Sequence, residues 1–269
     1  MRLVNAERIQ YLLDMPEINA QFLKDIEAET DCSELHESQS HVQTHIGRVR
    51  QANEDAYLLL GDHKLWVVAD GMGGHERGSA ASAVVVDDMR SFVSLDTIAE
   101  NVKDIEARLL LANSRCRTMY EKEIVGSTVA LLHIYHSMAI FIWAGDSRIY
   151  RFRQGVMELM TEDHNLAQER CRRGELTQDE AQSLPSANVL TRAVGIHQNL
   201  RVEMRCATVE KGDRYLLCSD GLYRDLTFAE IDSLLAGGDS KVVLELLVEK
   251  ALERGGRDNI SGIVVQIDK

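Results

Sequence analysis

The sequence predicts an α+β fold in which antiparallel sheets are covered by helices, and three observations carry that expectation. Strand-like apolar runs follow one another with no helix between them, at residues 127–135, 138–144 and 148–153. Helix-like blocks cluster outside such runs, at residues 79–90, from Ile98 to Met119, and at 228–235 and 241–254. The order is therefore strands in succession and helices in groups, rather than the strand–helix–strand alternation that builds a parallel sheet.

Each element has a local reason. Residues 56–60 and 65–69 are short apolar runs separated by Gly61-Asp62-His63, which reads as a hairpin. Residues 79–90 are rich in Ala and Val and read as a helix. Ile98, Val102, Ile105, Leu109, Ala112, Cys116 and Met119 recur at gaps of four and three, which is one face of a long helix. A further strand is expected at 156–160, and strands return at 200–209, 214–218 and 260–267. Residues 163–183 are polar and helical, and are expected to lie over a sheet as an insertion.

The first forty residues differ from the rest. Leu3, Ile9, Leu12, Leu13, Ile18, Phe22, Leu23 and Ile26 are mixed with carboxylates and interrupted at Pro16, which predicts one or two short amphipathic helices. Residues 34–40 read as a polar linker, so a boundary is placed near His41, with an extension at 1–40 and a main domain at 41–269.

Composition narrows the function. A formal charge of −13 over 269 residues offers no basic footprint for a phosphate backbone, so a nucleic-acid partner is excluded. Glu7, Asp14 and Glu17 break up any leader-like apolar core, and the longest apolar run, 138–144, is too short to cross a bilayer. Five cysteines, none in a C-x-x-C pair, form no complete disulfide framework. A reducing cytoplasm and no membrane partner are the expectation, whereas the oligomeric state is not legible.

The chemistry lies in aspartates at the ends of apolar strands. Asp70 follows Leu65-Trp66-Val67-Val68-Ala69, Asp146 follows Phe141-Ile142-Trp143-Ala144-Gly145, Asp220 follows Tyr215-Leu216-Leu217-Cys218-Ser219, and Asp258 precedes the last strand. Any single Asp-Gly is most often a turn. Several acids converging on one cleft, however, repel one another unless a cation compensates them. Oxygen-only ligands suit Mg²⁺ or Mn²⁺ rather than zinc.

Four decoys fall away. His36 and His41 in His36-Glu37-Ser38-Gln39-Ser40-His41 are one residue too far apart for a zinc-protease helix. Neither a P-loop nor a G-x-S-x-G elbow occurs. Cys218 is followed by no basic anion cradle, which leaves it a packed small hydrophobe.

Six local motifs appear in order: Gly47-Arg48-Val49-Arg50-Gln51-Ala52-Asn53-Glu54-Asp55, Val68-Ala69-Asp70-Gly71-Met72-Gly73-Gly74-His75, Gly126-Ser127-Thr128, Ala144-Gly145-Asp146-Ser147-Arg148, Leu217-Cys218-Ser219-Asp220-Gly221-Leu222 and Arg257-Asp258-Asn259-Ile260. Over residues 41–269 the chain closely resembles the bacterial branch of the metal-dependent serine/threonine phosphatases, the protein phosphatase 2C type. The resemblance implies two packed antiparallel sheets flanked by helices on both sides, with a flap at about residues 163–187. It implies hydrolysis of phosphoserine and phosphothreonine on proteins by metal-activated water, in opposition to a serine/threonine kinase. Two tightly bound Mn²⁺ or Mg²⁺ ions and a weaker third are implied as cofactors.

By the same resemblance Asp70 would bridge two metals, the Gly71 carbonyl would bind the second, and Asp220 and Asp258 would complete the first. Asp146 would share the third with Asp220, Glu54 and Asp55 would act through metal-bound water, and Arg50 would grip the substrate phosphate. Two cations about 3.5–4 Å apart can activate water and clamp phosphoryl oxygens, so no side-chain nucleophile is required. Some relatives carry a histidine directly after the Asp-Gly as a proton donor. Here that place is Met72, which leaves His75 as the nearest candidate acid. The competing readings are a phosphoprotein-sensing module with weak catalysis and a phosphatase of small phosphoesters.

Overall fold

The structure, a computed structural model, describes residues 20–29, 36–74, 76–120, 123–177, 180–181, 184 and 186–268. In chain order its elements are α1 (Ala20–Glu29), β1 (Ser38–His45), β2 (Asp55–Leu60), β3 (Leu65–Met72), α2 (Glu76–Met89), α3 (Ile98–Met119), β4 (Gly126–Ser127), β5 (Val129–Tyr135), β6 (Met138–Ala144), β7 (Arg148–Arg153) and β8 (Val156–Leu159). Then follow α4 (Leu166–Arg172), β9 (Glu203–Thr208), β10 (Arg214–Cys218), α5 (Asp220–Tyr223), α6 (Phe228–Leu235), α7 (Ser240–Glu253) and β11 (Ile260–Ile267).

The strands form two antiparallel sheets, one in the order β1-β11-β10-β7-β8 and the other β2-β3-β5-β6-β9, with β4 added to β3. Side chains alternate along each strand, so every central strand serves two cores. In β3, Leu65, Val67 and Ala69 pack toward α2 and α3, whereas Trp66 and Val68 pack between the sheets. In β10, Tyr215 and Leu217 face the inter-sheet core, while Leu216 and Cys218 face α6 and α7. The result is the expected four-layer arrangement, helices outside and two sheets inside. These central strands are apolar on both faces, because both faces are covered.

The helices end where their caps dictate. The Thr97 side chain accepts from Glu100 N–H at 3.1 Å and starts α3. Thr227 and Glu230 form a capping box on α6. Of the α3 positions singled out by spacing, Ile98, Val102, Ile105, Leu109, Ala112 and Cys116 are buried, whereas Met119 in the last turn is only partly so.

Four expectations shift. The strand expected at 65–69 continues to Met72, so Asp70 lies inside β3 and not beyond it. The stretch expected as polar linker at 34–40 runs into β1 at Ser38, which pairs with β11 from Ser38↔Ile267 onward. Edge pairing with only one neighbour lets β1 be polar, and that hid it in the sequence. Within the insertion at 163–183, the described helical residues are those of α4, Leu166–Arg172, and residues 180–181, with a turn between them at 173–174. The extension is also partly integral: Leu23 and Ile26 of α1 are buried in the same core as α3. The expectation for residues 1–19 lies outside the described residues.

Candidate active site

The topology gathers the acids at one end of the sandwich, between the two sheets. Asp55 opens β2 and stands directly opposite Asp70 in β3. Two-residue periodicity puts Asp70 on the side of Trp66 and Val68, which is the inter-sheet side. Gly145-Asp146-Ser147 carries the chain from β6 in one sheet to β7 in the other. Asp220 leaves β10 and opens α5, and Asp258 leads into β11.

Short polar side chains hold these acids in place. Asp70 N–H donates to Thr128 Oγ1 at 2.9 Å, and Thr128 N–H donates to the Asp70 carbonyl at 2.8 Å. Ser219 donates through Oγ to Asp55 Oδ2 at 2.8 Å and accepts from Ser261 N–H at 3.0 Å. Asn259 is the staple of the loop before β2. Its Oδ1 accepts from Glu54 N–H at 2.8 Å, and its Nδ2 donates to the Ile46 and Ala52 carbonyls, each at 2.9 Å. That loop presents Arg50, whose guanidinium lies 2.7 Å from Asp258 Oδ2.

Two glycines are dictated by contact. A Cβ on Gly78 of α2 would fall 1.7 Å from Glu54 Oε2, and one on Gly71 would fall 2.0 Å from the Gly78 carbonyl. Only hydrogen at both positions lets β3, α2 and the buried Glu54 meet.

The electrostatics are those of a crowded acidic site. Burial, reinforced by Asp55, Asp220, Asp146 and Asp258, holds the Asp70 carboxyl well above the usual carboxylate range. Burial raises Asp55 to about 7, with Asp220 and Asp258 adding to the shift and hydrogen bonds from Ser261 and Ser219 opposing it. Asp146 is also raised to about 7, by burial and then by Asp220 and Asp163, against Arg224. Burial likewise raises Asp220, although Arg224 and Arg50 hold it down.

Among the described residues no three His, Cys, Asp or Glu side chains close on one another tightly enough to form a metal cage by themselves. Instead, arginines partly compensate the acids. Two oxygens nonetheless stay buried with no hydrogen-bond partner, Asp55 Oδ1 and Asp220 Oδ1. A buried carboxylate oxygen without a donor is costly, and a cation is the partner that suits a lone pair among neighbouring carboxylates. By that test the donor set, all oxygen, fits a hard divalent ion.

The structure brings Arg50, Glu54, Asp55, Asp70, Gly71, Asp146, Asp220 and Asp258 to this end of the sandwich, whereas His75 lies outside the described residues. Sequence reasoning missed Arg224, which lies 2.6 Å from Asp220 Oδ2 and 3.2 Å from Asp146 Oδ2. Its signal was available, because four residues after an acid on a helical turn is the same face. It also missed Asn259 as a staple and Thr128, Ser219 and Ser261 as supports. Beside the acids runs a cleft of about 850 Å³, bordered by Arg148, Asp163, Tyr223, Arg224, Arg257 and Asp258. Arg148 grips Asp163 through two 2.9 Å hydrogen bonds and lies 3.8 Å above the Tyr223 ring, so the start of the expected flap is tied to α5.

Comparison with known proteins agrees with this geometry. The profile of the protein phosphatase 2C family matches residues 42–244. The serine/threonine phosphatase stp of Listeria innocua is 31% identical over 239 residues, covering 83% of this chain and 94% of that protein. Among solved structures, PppA of Pseudomonas aeruginosa, described as a key regulatory component of T6SS, superposes with a TM-score of 0.79 at 38% identity, covering 86% of this chain and 97% of that one. The catalytic domain of the serine/threonine phosphatase PstP, in complex with two manganese ions, superposes at 0.75 with 26% identity, covering 86% and 99% respectively. The chain belongs to the protein phosphatase 2C family, in its bacterial serine/threonine phosphatase branch.

Proposed function

We propose that this protein hydrolyses phosphoserine and phosphothreonine esters on other proteins with the help of two divalent cations, Mn²⁺ or Mg²⁺. The observation that carries the reading is the convergence of Asp55, Asp70, Asp220 and Asp258 at one end of the sandwich, with two buried oxygens left unpartnered. Asp70, Asp220, Asp258 and the Gly71 carbonyl would hold the ions. When bound, such ions activate water for attack on phosphorus and neutralise charge on the phosphoryl oxygens.

The remaining work falls to the chain's own residues. Arg50 has a half-exposed side chain beside Asp258, so its planar fork can leave the carboxylate and grip a phosphate dianion. Asp55 is oriented by Ser219 and keeps a second oxygen directed at no protein donor, so it can accept a proton from water or orient it. Glu54 is fixed by the Asn259 staple and the gap at Gly78. In the net step water oxygen bonds to phosphorus, the bond from phosphorus to the serine or threonine oxygen breaks, and that oxygen leaves as the alcohol with one proton. The cleft bordered by Arg148 and Arg257 is open enough for the peptide around the phosphorylated residue. The biological partner would be a set of phosphoproteins made by a serine/threonine kinase.

Turnover of a phosphothreonine peptide, compared with sugar phosphates and nucleotides, tests the substrate class. The expected result is peptide hydrolysis that stops with chelator and returns with Mn²⁺ or Mg²⁺. Preference for the small phosphoesters would overturn the protein-phosphatase reading, and peptide binding without turnover would favour a sensing module.

A further inference from the structure

The resemblance implies a third cation shared by Asp146 and Asp220, and in this chain that place is already filled. Arg224 caps α5, and its backbone N–H donates to the Asp220 carbonyl at 2.9 Å, one helical turn away. That turn brings its side chain onto the Asp220 face. The guanidinium then spans both acids, with Nη1 2.6 Å from Asp220 Oδ2 and Nη2 3.2 Å from Asp146 Oδ2. The second anchor is on the same helix: the Tyr223 O–H donates to the Asp146 carbonyl at 2.9 Å, which fastens the β6–β7 crossing to α5.

The two oxygens of Asp220 are thereby divided. Oδ2 is taken by Arg224, whereas Oδ1 is buried and has no hydrogen-bond partner. Burial lowers the Arg224 pKa, but Asp220 and Asp146 more than restore it, so the group stays charged at any working pH. A dication entering between Asp146 and Asp220 would meet a fixed positive charge at contact distance and would have to expel it. A guanidinium cannot lose its proton to make room.

We infer that Arg224 is a built-in cation that replaces the third divalent ion, neutralises Asp146, and directs the free oxygen of Asp220 toward the two-metal centre. Arg224 is thus a positioning residue, and the inference rests on the two-metal reading above. It is a property of this chain's own sequence, set by an arginine four residues after Asp220.

Manganese stoichiometry tests it, on the full chain stripped with chelator and then titrated with Mn²⁺ under equilibrium dialysis. The wild type is expected to bind two ions, and Asp146→Ala, which leaves Arg224 in place, is also expected to bind two. Arg224→Asn removes the guanidinium and is expected to gain a third, weaker ion, which Asp146→Ala in the same background removes again. Arg224→Lys keeps a charge and is expected to stay at two. A wild type that binds three ions, with Asp146→Ala falling to two, would overturn the inference while leaving the metal centre intact. Arg224→Asn remaining at two would overturn it as well. A wild type that binds no manganese would instead sink the two-metal reading on which it stands.

Discussion

Two buried aspartates at opposite ends of β10 show how a structural acid differs from a functional one. Asp213, just before the strand, is fully enclosed and fully satisfied. Arg153 donates to both of its oxygens at 2.6 Å, and Tyr215 O–H and Glu210 N–H donate to Oδ2 at 2.8 and 2.9 Å. Asp220, just after the strand, is almost as buried, yet its Oδ1 has no donor, and Asp258 is close enough to raise its pKa further. Asp55 repeats the pattern. At the structural end of β10 both carboxylate oxygens have donors. At the other end one oxygen of Asp220, like one of Asp55 beside it, is left for something outside the chain.

The largest expected effect separates the two ends outright. Asp70→Asn should lower kcat/KM by about three orders of magnitude, since metal-centred charge stabilisation is worth several kcal/mol, while leaving the fold intact. Asp213→Asn should do the reverse, destabilising by about 1–3 kcal/mol, because the charged acceptor of a buried hydrogen-bond cluster is lost while Arg153 keeps Glu210 as its remaining acidic partner. Activity per folded molecule should survive. Steady-state kinetics and urea unfolding on both variants check the pair. Equal loss of activity in both would erase the distinction.

A second expectation concerns pH. Asp55 and Asp146 titrate near 7 in the folded chain, above the ordinary unfolded value of about 3.9. In that window the folded state binds more protons than the unfolded state. Stability without metal should therefore fall as pH rises from about 4 through 7, by at most about 1.4 kcal/mol per pH unit for each such group. Divalent cation should flatten the decline, and its affinity should rise with pH over the same range. Urea unfolding with and without chelator across that range is the check. A flat profile with chelator would contradict the crowding of these acids.

A sheltered strand end also leaves its mark on legibility. The six α3 positions that are buried were readable by spacing alone, and β6, β7, β10, α6 and β11 fall where the apolar runs put them. Such elements are decided by their own hydrophobic pattern. Which strand joins which sheet was not readable from spacing, because β6 and β7 are adjacent in sequence yet lie in different sheets. Polar β1 was missed because pairing with β11, rather than burial of its own side chains, makes it a strand. At the site, the aspartates were legible from their motifs. For Arg224 only the four-residue spacing from Asp220 was legible, because its second partner, Asp146, is brought to it by the fold from seventy-eight residues away.

Smaller effects sharpen the picture within the active end. Arg50→Ala should raise KM more than it lowers kcat if the guanidinium grips phosphate in ground and transition states alike. A pure kcat defect would confine its role to the transition state. His75→Ala is the finer probe. A positioned acid contributes about 10²–10⁴-fold when the leaving group is a poor one. If His75 serves as the acid, the substitution should slow phosphothreonine peptide hydrolysis far more than p-nitrophenyl phosphate hydrolysis. Equal losses on both substrates would assign it to loop positioning.

The most direct test of the central claim is thermal unfolding of the chelator-stripped chain during Mn²⁺ titration, above the pH at which Asp55 and Asp146 titrate. A ligand that binds only the folded state stabilises it by mass action, by about 2.7 kcal/mol at one hundred times its Kd. The wild type and Asp213→Asn should therefore both show a Tm that climbs with the logarithm of metal concentration, from different starting points. Asp220→Asn should start near the wild type and climb little. A wild-type Tm indifferent to manganese, or an Asp220→Asn response as steep as the wild type, would contradict the account that the unpartnered oxygens at this end of the sandwich are there to hold a cation.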